Sequence, residues 1–495
     1  MPEAFPRFPG QFILSKGEVR LPEGWSAEDI GPWILGRHAS LPKIRLIGSD
    51  GNPIGWILGF PIDREGRLLA DGTGVQVPWE PGGIDNGVED FVYAFGGRFL
   101  AAFVGESSKR IYLDPCGSLS LVYCAHREIV ASTPGLIPYD ERTGDNTDLV
   151  KDLGIPFTNA KYPLELTPRY NVDRLIPNHY LDLDDWTRVR HWPKEPLRDD
   201  ESIDASVAAV AEITKRQIAA VVSRNPTYLR MTAGGDSRML LACARGVKDR
   251  LELFTVMLPD DGAYLDVAVA KRIARRFRMP HFVPEVEASR KEDLDDFMSR
   301  IGYGTGEYRG WQAVSMFNRA NPAYAQLDGA IGALDRGGFY RPGDTKTSRI
   351  TPERLMQHCQ GPSTERTLPP LRRWLETAPA LDTLQLLDLF FVEQLLGGWA
   401  GVLPYAEGGD PGFIIYPMCH REIITRMMRL PTEYRLHGYL TCEKHHSGTP
   451  PFMKEIILRE WPDLMEWPFN TPFGYPKLVL DVRRALRKIR TKPSS

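Results

Sequence analysis

The first 195 residues show short apolar or alternating runs, which are separated by clusters of Gly, Pro, Asn and Asp. Alternation with a period of two is typical of strands with one buried face, and the breaker clusters mark the turns between them. The pattern therefore predicts a layered, β-rich domain over residues 1–195. The predicted strands lie at Ile44 to Ile47, Trp56 to Phe60, Phe91 to Phe95, Phe99 to Val104, Ile111 to Leu113, Leu119 to Tyr123 and Ile129 to Ser132.

From about residue 200 the pattern changes to an alternation of helical and continuous apolar segments. Helical spacing over residues 203–223 is followed by a short apolar run at 228–231, a helix from Met239, an apolar strand over 251–258, a helix over 263–277 and a strand at 281–284. This alternation predicts an α/β domain over residues 200–480, with a parallel sheet covered on both faces and a mostly helical part after residue 353. Ligands of such sheets lie at the carboxyl ends of the strands.

A loop of small residues lies between the apolar run at 228–231 and the helix that follows it. Glycines in this loop are predicted to turn with φ > 0 and to approach a ligand closely, and the helix start offers N–H groups with a positive dipole end. The pattern is therefore typical of a phosphate-binding loop, although an ordinary connection gives the same pattern. Thr232 and Ser237 would donate hydroxyls, Arg238 would pair with phosphate, and Asp236 would hold a magnesium ion.

Composition and charge narrow the classes of function. The chain has 495 residues, enough for two to four domains, and its net charge of −3 argues against nucleic-acid and membrane partners. Neither an apolar run of transmembrane length nor the features of a signal peptide are present in the sequence, so a cytoplasmic location is expected. The 6 cysteines are scattered without the spacing of a zinc site.

The loop resembles the Ser-Gly-Gly-x-Asp-Ser pyrophosphate loop of ATP pyrophosphatases, in particular the synthetase domain of asparagine synthetase-like enzymes. Two of the five specified positions are replaced by other small residues, and the Asp-Ser pair is kept. The motif falls, in order, on Thr232, Ala233, Gly234, Gly235, Asp236 and Ser237. The resemblance implies that these residues and Arg238 bind ATP, and that Arg238 acts in catalysis.

Further segments resemble the same family in the same order along the chain. Residues 97–124 and 174–181 resemble a glutamine amidotransferase domain of the αββα type, and residues 461–470 resemble the C-terminal end of asparagine synthase-related proteins. A Gly-rich stretch at 328–340 resembles the family's magnesium- and substrate-binding stretch, and this resemblance implies that Asp335 binds magnesium and that Arg336 lies beside it. The segment from Lys454 to Arg459 resembles the family's Lys-x-x-Leu-Arg helix, which implies that Lys454 stabilises the pentavalent and tetrahedral transition states.

The amidotransferase domains of this family use a cysteine exposed after removal of the initiator methionine. This sequence begins Met1-Pro2, and no cysteine precedes Cys116. The sequence therefore predicts a degenerate amidotransferase-like domain over residues 1–195 without glutaminase activity. A basic tail over residues 481–495 is predicted to be a solvated helix.

The resemblance implies an ATP-dependent ligase that requires magnesium. In the family's mechanism a carboxylate is adenylated with release of pyrophosphate, and an amine then displaces AMP. The expected partners are a small-molecule or peptide carboxylate and an amine, with no nucleic acid and no membrane; a homo-oligomer or a partner protein stays open. Two alternatives remain: a catalytically inactive relative that binds a nucleotide or a protein, and an enzyme that adenylates a nucleic-acid base.

Overall fold

The computed structural model describes residues 8–78, 87–104, 109–257, 261–284, 290–306, 319–407, 413–445 and 451–469. Within these ranges the protein is a mixed α/β structure, in which antiparallel and mixed sheets are followed by a parallel sheet and helices. The predicted basic tail over 481–495 and the predicted family match at Asn470 lie outside the described residues.

Two sheets form the part before residue 195. The six-stranded sheet has the order β11-β9-β10-β1-β3-β2, and the seven-stranded sheet has the order β13-β12-β8-β7-β5-β4-β6, in which only β4 and β6 are parallel. The strands are β1 (Phe12–Ser15), β2 (Trp25–Ile30), β3 (Trp33–His38), β4 (Lys43–Ile47), β5 (Pro53–Ile62), β6 (Gly74–Gln76), β7 (Gly96–Val104), β8 (Lys109–Leu113), β9 (Val122–Cys124), β10 (Ile129–Ala131), β11 (Asp173–Arg174), β12 (His179–Asp182) and β13 (Arg188–Arg190).

The two sheets pack face to face. Their shared core contains Phe12 and Trp33 from the six-stranded sheet, and Trp56 and Leu100 from the seven-stranded sheet. Helix α1 (Val88–Tyr93) covers the outer face of the seven-stranded sheet. The structure thus confirms a β-rich part with antiparallel and mixed sheets. Among the described residues of this part, α1 lies on the outer face of a sheet, whereas α2 (Thr147–Leu153) packs into the main hydrophobic core.

One predicted strand in this region is wrong. The apolar run from Phe91 to Phe95 lies largely in α1, and its Phe91 and Phe95 rings pack edge to face, with centroids 5.2 Å apart. Val88 and Val92 are buried and lie four residues apart, which places both on the helix face that packs on the sheet. The four-residue spacing of Val88 and Val92 indicates a helix, whereas the overlapping aromatic run led to the prediction of a strand.

The parallel sheet has the order β16-β15-β14-β17-β18, and each of its four pairings is parallel. Strand β14 is therefore central, with β15 on one side and β17 on the other. The strands are β14 (Thr227–Arg230), β15 (Leu251–Phe254), β16 (His281–Phe282), β17 (Ala325–Leu327) and β18 (Phe413–Ile415). This arrangement confirms the parallel sheet that the alternating pattern predicts.

Helices account for most of the remaining described chain. Their bounds are α3 (Ile203–Arg224), α4 (Gly235–Cys243), α5 (Asp261–Phe277), α6 (Lys291–Arg300), α7 (Pro352–His358), α8 (Leu368–Thr377), α9 (Thr383–Phe390), α10 (Pro404–Glu407), α11 (Arg421–Met428), α12 (Thr432–His445) and α13 (Pro451–Glu460). A π-helix (Phe391–Ala400) directly continues α9. Single-turn π insertions are the usual form of this conformation, so a run of 10 residues is unusual.

The run Thr383–Glu407 has 25 residues and passes a test of length and composition for a membrane span. However, 83% of its most apolar window is buried inside the protein. Leu384, Leu387 and Phe390 all belong to the main core. We therefore assign this run as a core helix of the mostly helical part that the sequence predicts after residue 353.

The β-rich part and the parallel-sheet part are packed tightly together. Phe60 of β5 stacks on Phe413 of β18 with ring centroids 4.0 Å apart, and the Gly97 N–H donates to the Cys419 carbonyl. The main hydrophobic core contains side chains from both parts. The interface is therefore a continuation of the core.

Candidate functional site

The loop predicted to bind phosphate connects β14 to α4 at the carboxyl end of the central strand, as the alternating pattern predicts. Gly234 precedes α4 with φ −75° and ψ 165°, and Gly235 is the first residue of the helix. The predicted φ > 0 at these glycines is therefore wrong. Helix α4 has no side-chain cap at Gly234, so its first turn presents backbone N–H groups that have no partner within the helix.

Hydrogen bonds within the loop hold its two hydroxyls together. The Thr232 N–H donates to Ser237 Oγ at 3.1 Å, the two hydroxyl oxygens lie 3.0 Å apart, and the Gly234 N–H donates to Thr232 Oγ1 at 3.0 Å. From outside the loop, Asp266 of α5 accepts the Ala233 N–H at 2.8 Å. Asp266 therefore fixes the loop from α5.

A cavity of about 360 Å³ lies beside this loop. Thr232, Asp236 and Ser237 line one side of it, and residues that follow β17 line another. The π-helix supplies an apolar wall that consists of Phe391, Leu395, Leu396 and Trp399. The volume falls within the range of roughly 300–1,000 Å³ that is typical of small-molecule sites.

An ion-pair network includes Arg230 and Asp328, two residues that line the cavity. Arg230, the last residue of β14, donates to Glu407 Oε2 at 2.7 Å, to Asp328 Oδ2 at 3.3 Å and to Gln326 Oε1 at 2.9 Å. Burial alone would lower the pKa of Arg230, but Glu407 and Asp328 outweigh it and raise that pKa. The guanidinium therefore stays charged inside the site and fixes the Asp328 carboxylate at the cavity wall.

The second Gly-rich stretch approaches Asp236 closely. A Cβ atom at Gly332 would lie 2.9 Å from Asp236 Oδ1, and one at Gly329 would lie 3.0 Å from Asp236 Cβ. A side chain at Gly332 would displace the Asp236 carboxylate, and one at Gly329 would press on the Asp236 backbone and Cβ. The two glycines are thus explained by packing against Asp236, and they bring the chain that follows Asp328 to the loop.

Arg238 does not line the cavity. Its side chain is fully buried, and its guanidinium donates to the carbonyls of Trp467 at 2.8 Å, Pro468 at 2.9 Å, Ala233 at 3.2 Å and Leu464 at 3.3 Å. It also lies 3.7 Å from the centre of the Phe469 ring. These hydrogen bonds occupy both Nη atoms, whereas Nε has no partner among the described residues. Arg238 therefore anchors residues 464–469 to the loop, and its contact with phosphate stays a prediction.

Asp335 and Lys454 also lie away from the lining of the cavity. Asp335 Oδ2 accepts the Met453 N–H at 3.1 Å and so caps α13 near its start. Burial raises the pKa of Asp335 to about 8; the Met453 hydrogen bond opposes this rise, and the charge of Glu455 adds to it. Lys454 is half-buried on α13 and is not among the described residues that line the cavity. Neither residue is thus among the described residues that line the cavity with the loop hydroxyls.

Replacement of Asp335 with Asn is expected to change the pH dependence of stability. Since its pKa is about 8 in the native state and near 3.8 in the unfolded state, native Asp335 holds a proton between these values that the unfolded chain has lost. The contribution of this proton to the free energy of unfolding is complete below the unfolded-state pKa. It is lost as the pH rises through the native-state pKa. Urea unfolding from about pH 5 to pH 9 should show a decline for the wild type relative to Asp335→Asn; parallel profiles would contradict this expectation.

Three polar residues of the site were not predicted from the sequence: Arg230, Asp328 and Glu407. A signal existed for two of them, because Arg230 ends β14 and Asp328 directly follows β17, the adjacent parallel strand. Polar residues at the carboxyl ends of adjacent parallel strands meet at one edge of a sheet. Glu407 lies far along the chain in α10, and no local pattern in the sequence indicates its contact with Arg230.

Elsewhere, three potential metal ligands, Asp114, Cys116 and Cys419, lie together in the buried interface between the two parts. The Asp114 carboxylate accepts the backbone N–H groups of Phe99, Cys116, Ser118 and Leu119, the Ser118 hydroxyl and the Cys419 thiol. Burial raises the pKa of Cys419 well above its usual value. A saturated carboxylate beside a protonated thiol indicates a structural hydrogen-bond centre.

No family model matches this chain, and no curated protein matches it. The resemblance to asparagine synthetase-like enzymes therefore stays a prediction.

Proposed function

We propose that the protein is an ATP-dependent, amide-bond-forming ligase of the asparagine synthetase-like type, which adenylates a carboxylate and transfers the acyl group to an amine without glutamine hydrolysis. The observation that carries the proposal is the cavity at the carboxyl edge of the parallel sheet, where Thr232, Asp236 and Ser237 converge with Asp328. This is the position at which open α/β sheets bind their ligands.

The residues around the cavity fit a magnesium nucleotide. Hydroxyls from Thr232 and Ser237, together with the N–H groups at the start of α4, form a donor set suited to pyrophosphate oxygens. Asp236 and Asp328 supply carboxylate oxygens, which are the ligands that magnesium prefers. Bound magnesium would neutralise charge on the phosphates.

The remaining walls suit the other substrates. The apolar surface of Phe391, Leu395 and Trp399 would hold a purine base or the apolar part of a carboxylate substrate and exclude water from it. Arg230 is paired with Glu407 and Asp328, so its charge is already balanced, and it would hold Asp328 in place for magnesium. A preorganised polar site of this kind contributes strongly to catalysis.

The chemistry follows from the poor reactivity of a carboxylate towards amines. Adenylation converts one of its oxygens into a good leaving group, and pyrophosphate departs. The amine then attacks the acyl carbon, and AMP leaves with that oxygen. In this scheme the loop hydroxyls and the start of α4 stabilise the departing pyrophosphate, and the amine is ammonia or the amino group of a second substrate.

Calorimetry with ATP and magnesium tests the nucleotide site. We expect the wild type to bind, and Asp236→Ala to bind at least about tenfold more weakly because a metal-bridging carboxylate is lost. Asp249→Ala is the matched control, because Asp249 is exposed and lies outside the cavity. Equal affinity of the wild type and Asp236→Ala would place nucleotide binding elsewhere and refute the assignment of this cavity.

A second candidate, a catalytically inactive module that binds a nucleotide, is favoured by one observation. Arg238, Asp335 and Lys454, which the resemblance implies for catalysis and magnesium binding, are not among the described residues that line the cavity. Pyrophosphate release distinguishes the two candidates. A ligase releases pyrophosphate from ATP with one member of a panel of carboxylates, whereas the inactive module binds ATP and releases none.

A further inference from the structure

A second cleft lies between the β-rich part and the helices of the parallel-sheet part. One chamber has a volume of about 650 Å³ and is bounded by α1, α3 and the start of α11. It adjoins a chamber of about 740 Å³ along the segment that follows β13. The two chambers share Asp90, Tyr93, Thr425 and Arg429, and they share no lining residue with the cavity at Thr232. The cleft is therefore a separate space with its own chemistry.

Arg421, the first residue of α11, lines the first chamber and is only 5% exposed. Its guanidinium lies 4.3 Å from the centre of the Trp192 ring and 4.9 Å from the centre of the Tyr93 ring. Nε and Nη1 are closed to solvent beside these rings, and neither has a hydrogen-bond partner among the described residues. Buried arginine N–H groups are nearly always paired, so a ligand that approaches from the chamber would meet the guanidinium at Nη2.

The carboxylates that line the first chamber do not supply that acceptor. Glu201 accepts from Arg426 and lies 3.6 Å from Arg429, and Glu422 accepts from Arg426 at 3.0 Å. Asp63 binds Arg67 at 2.7 Å. Asp90 lines the chamber as well, but no ion pair joins it to Arg421 in the described part of the chain. An acceptor for Arg421 must therefore come from outside these pairs.

The tyrosyl hydroxyl beside Arg421 is also occupied. Tyr93 Oη lies 2.7 Å from His191 Nδ1. With aromatic rings packed against it, the guanidinium has little freedom to turn and is preorganised for a planar acceptor. A carboxylate or phosphate oxygen accepts a charge-assisted hydrogen bond from such a guanidinium.

We propose that this cleft is a binding site for a small molecule that bears an oxyanion, a carboxylate or a phosphate, and that Arg421 is the residue that binds this group. Arg216 and Arg64 also line the first chamber, and the exposed Arg216 adds positive charge at its mouth. The inference is independent of the proposed ligase activity, because it uses no residue of the cavity at Thr232.

Thermal unfolding of the full-length chain with sodium malonate, at constant ionic strength set with chloride, tests the proposal. We expect a saturable rise in the unfolding midpoint for the wild type, because a ligand that binds the native state stabilises it. Arg421→Gln should lose this saturable rise. Arg216→Glu should need at least about tenfold more malonate, since a negative charge then lies at the mouth of the chamber. Arg272→Glu on α5 has the same charge change outside the cleft and should respond like the wild type.

A malonate response that is unchanged in Arg421→Gln, or that chloride alone reproduces, would overturn the proposal. If Arg421→Gln does not fold, the comparison of Arg216→Glu with Arg272→Glu decides, and equal responses of these two variants would refute it. A parallel series with inorganic phosphate distinguishes the sources of the oxyanion. Phosphate that binds more tightly than malonate, with the same dependence on Arg216, identifies a phosphate ester as the ligand class.

Discussion

Replacement of Arg238 with methionine is expected to lower the free energy of unfolding by about 3–4 kcal/mol, because several buried carbonyls lose their donor at once. The guanidinium is fully buried and donates to the carbonyls of Ala233, Leu464, Trp467 and Pro468. Burial lowers its pKa to about 10, so it remains charged at neutral pH. Methionine keeps much of the apolar length but supplies no N–H group. Urea unfolding followed by circular dichroism measures the loss.

Arg272→Met is the matched control for this experiment. Arg272 is exposed on α5, and the same substitution there should leave the midpoint of unfolding unchanged. Arg238→Lys keeps the charge but replaces the planar fork with a single ammonium, so its stability should fall between those of the wild type and Arg238→Met. A stable Arg238→Met variant with lost ATP affinity would instead support the phosphate contact that the sequence predicts.

Replacement of Glu393 with alanine is expected to destabilise the protein by about 3–5 kcal/mol, because it leaves a charged arginine without its partner in the interior. Glu393 lies in the π-helix with a fully buried side chain. Its two oxygens accept from Arg190 at 2.5 and 3.0 Å, from Trp374 Nε1 at 2.7 Å and from Asn178 at 3.0 Å. Urea unfolding again gives the measurement.

The protonation of Glu393 agrees with this role. Burial alone would raise the pKa of Glu393, but Arg190 and His179 outweigh it, so the net pKa is lowered. Stability from this carboxylate is therefore present above its unfolded pKa and is lost as the pH falls through the native value. Glu65→Ala serves as the control, since Glu65 is largely exposed beside Arg67 and its loss should not be measurable. A similar midpoint for both variants would contradict the prediction.

The sequence identified the framework of the candidate site because local patterns determine it. Helical spacing over 203–223 corresponds to α3, and the apolar run at 228–231 overlaps most of β14. The loop at 232–237 then follows at the carboxyl end of a parallel strand. Strand alternation and helical periodicity report which face of each element is buried, and this is sufficient to place a strand, a loop and a helix in order.

Such patterns do not predict the direction in which an individual side chain points. Arg238 lies one residue beyond the matched motif, yet it turns towards residues 464–469, more than 220 positions later in the chain. The loop motif alone does not reveal that a distant segment supplies three carbonyls to it. Asp335 presents the same difficulty, because its partner at Met453 is the start of a helix remote in sequence. Long-range docking therefore decides which predicted side chains reach the cavity.

The stacked pair of Phe60 and Phe413 constrains the evolution of this chain. Each ring comes from a different part of the chain, and both lie against the same continuous core. A substitution of one ring leaves space or strain that its counterpart must accommodate. Substitutions on the two sides of this core must therefore be compatible. Exchange of either part for that of a distant homologue would require matching changes in the other part.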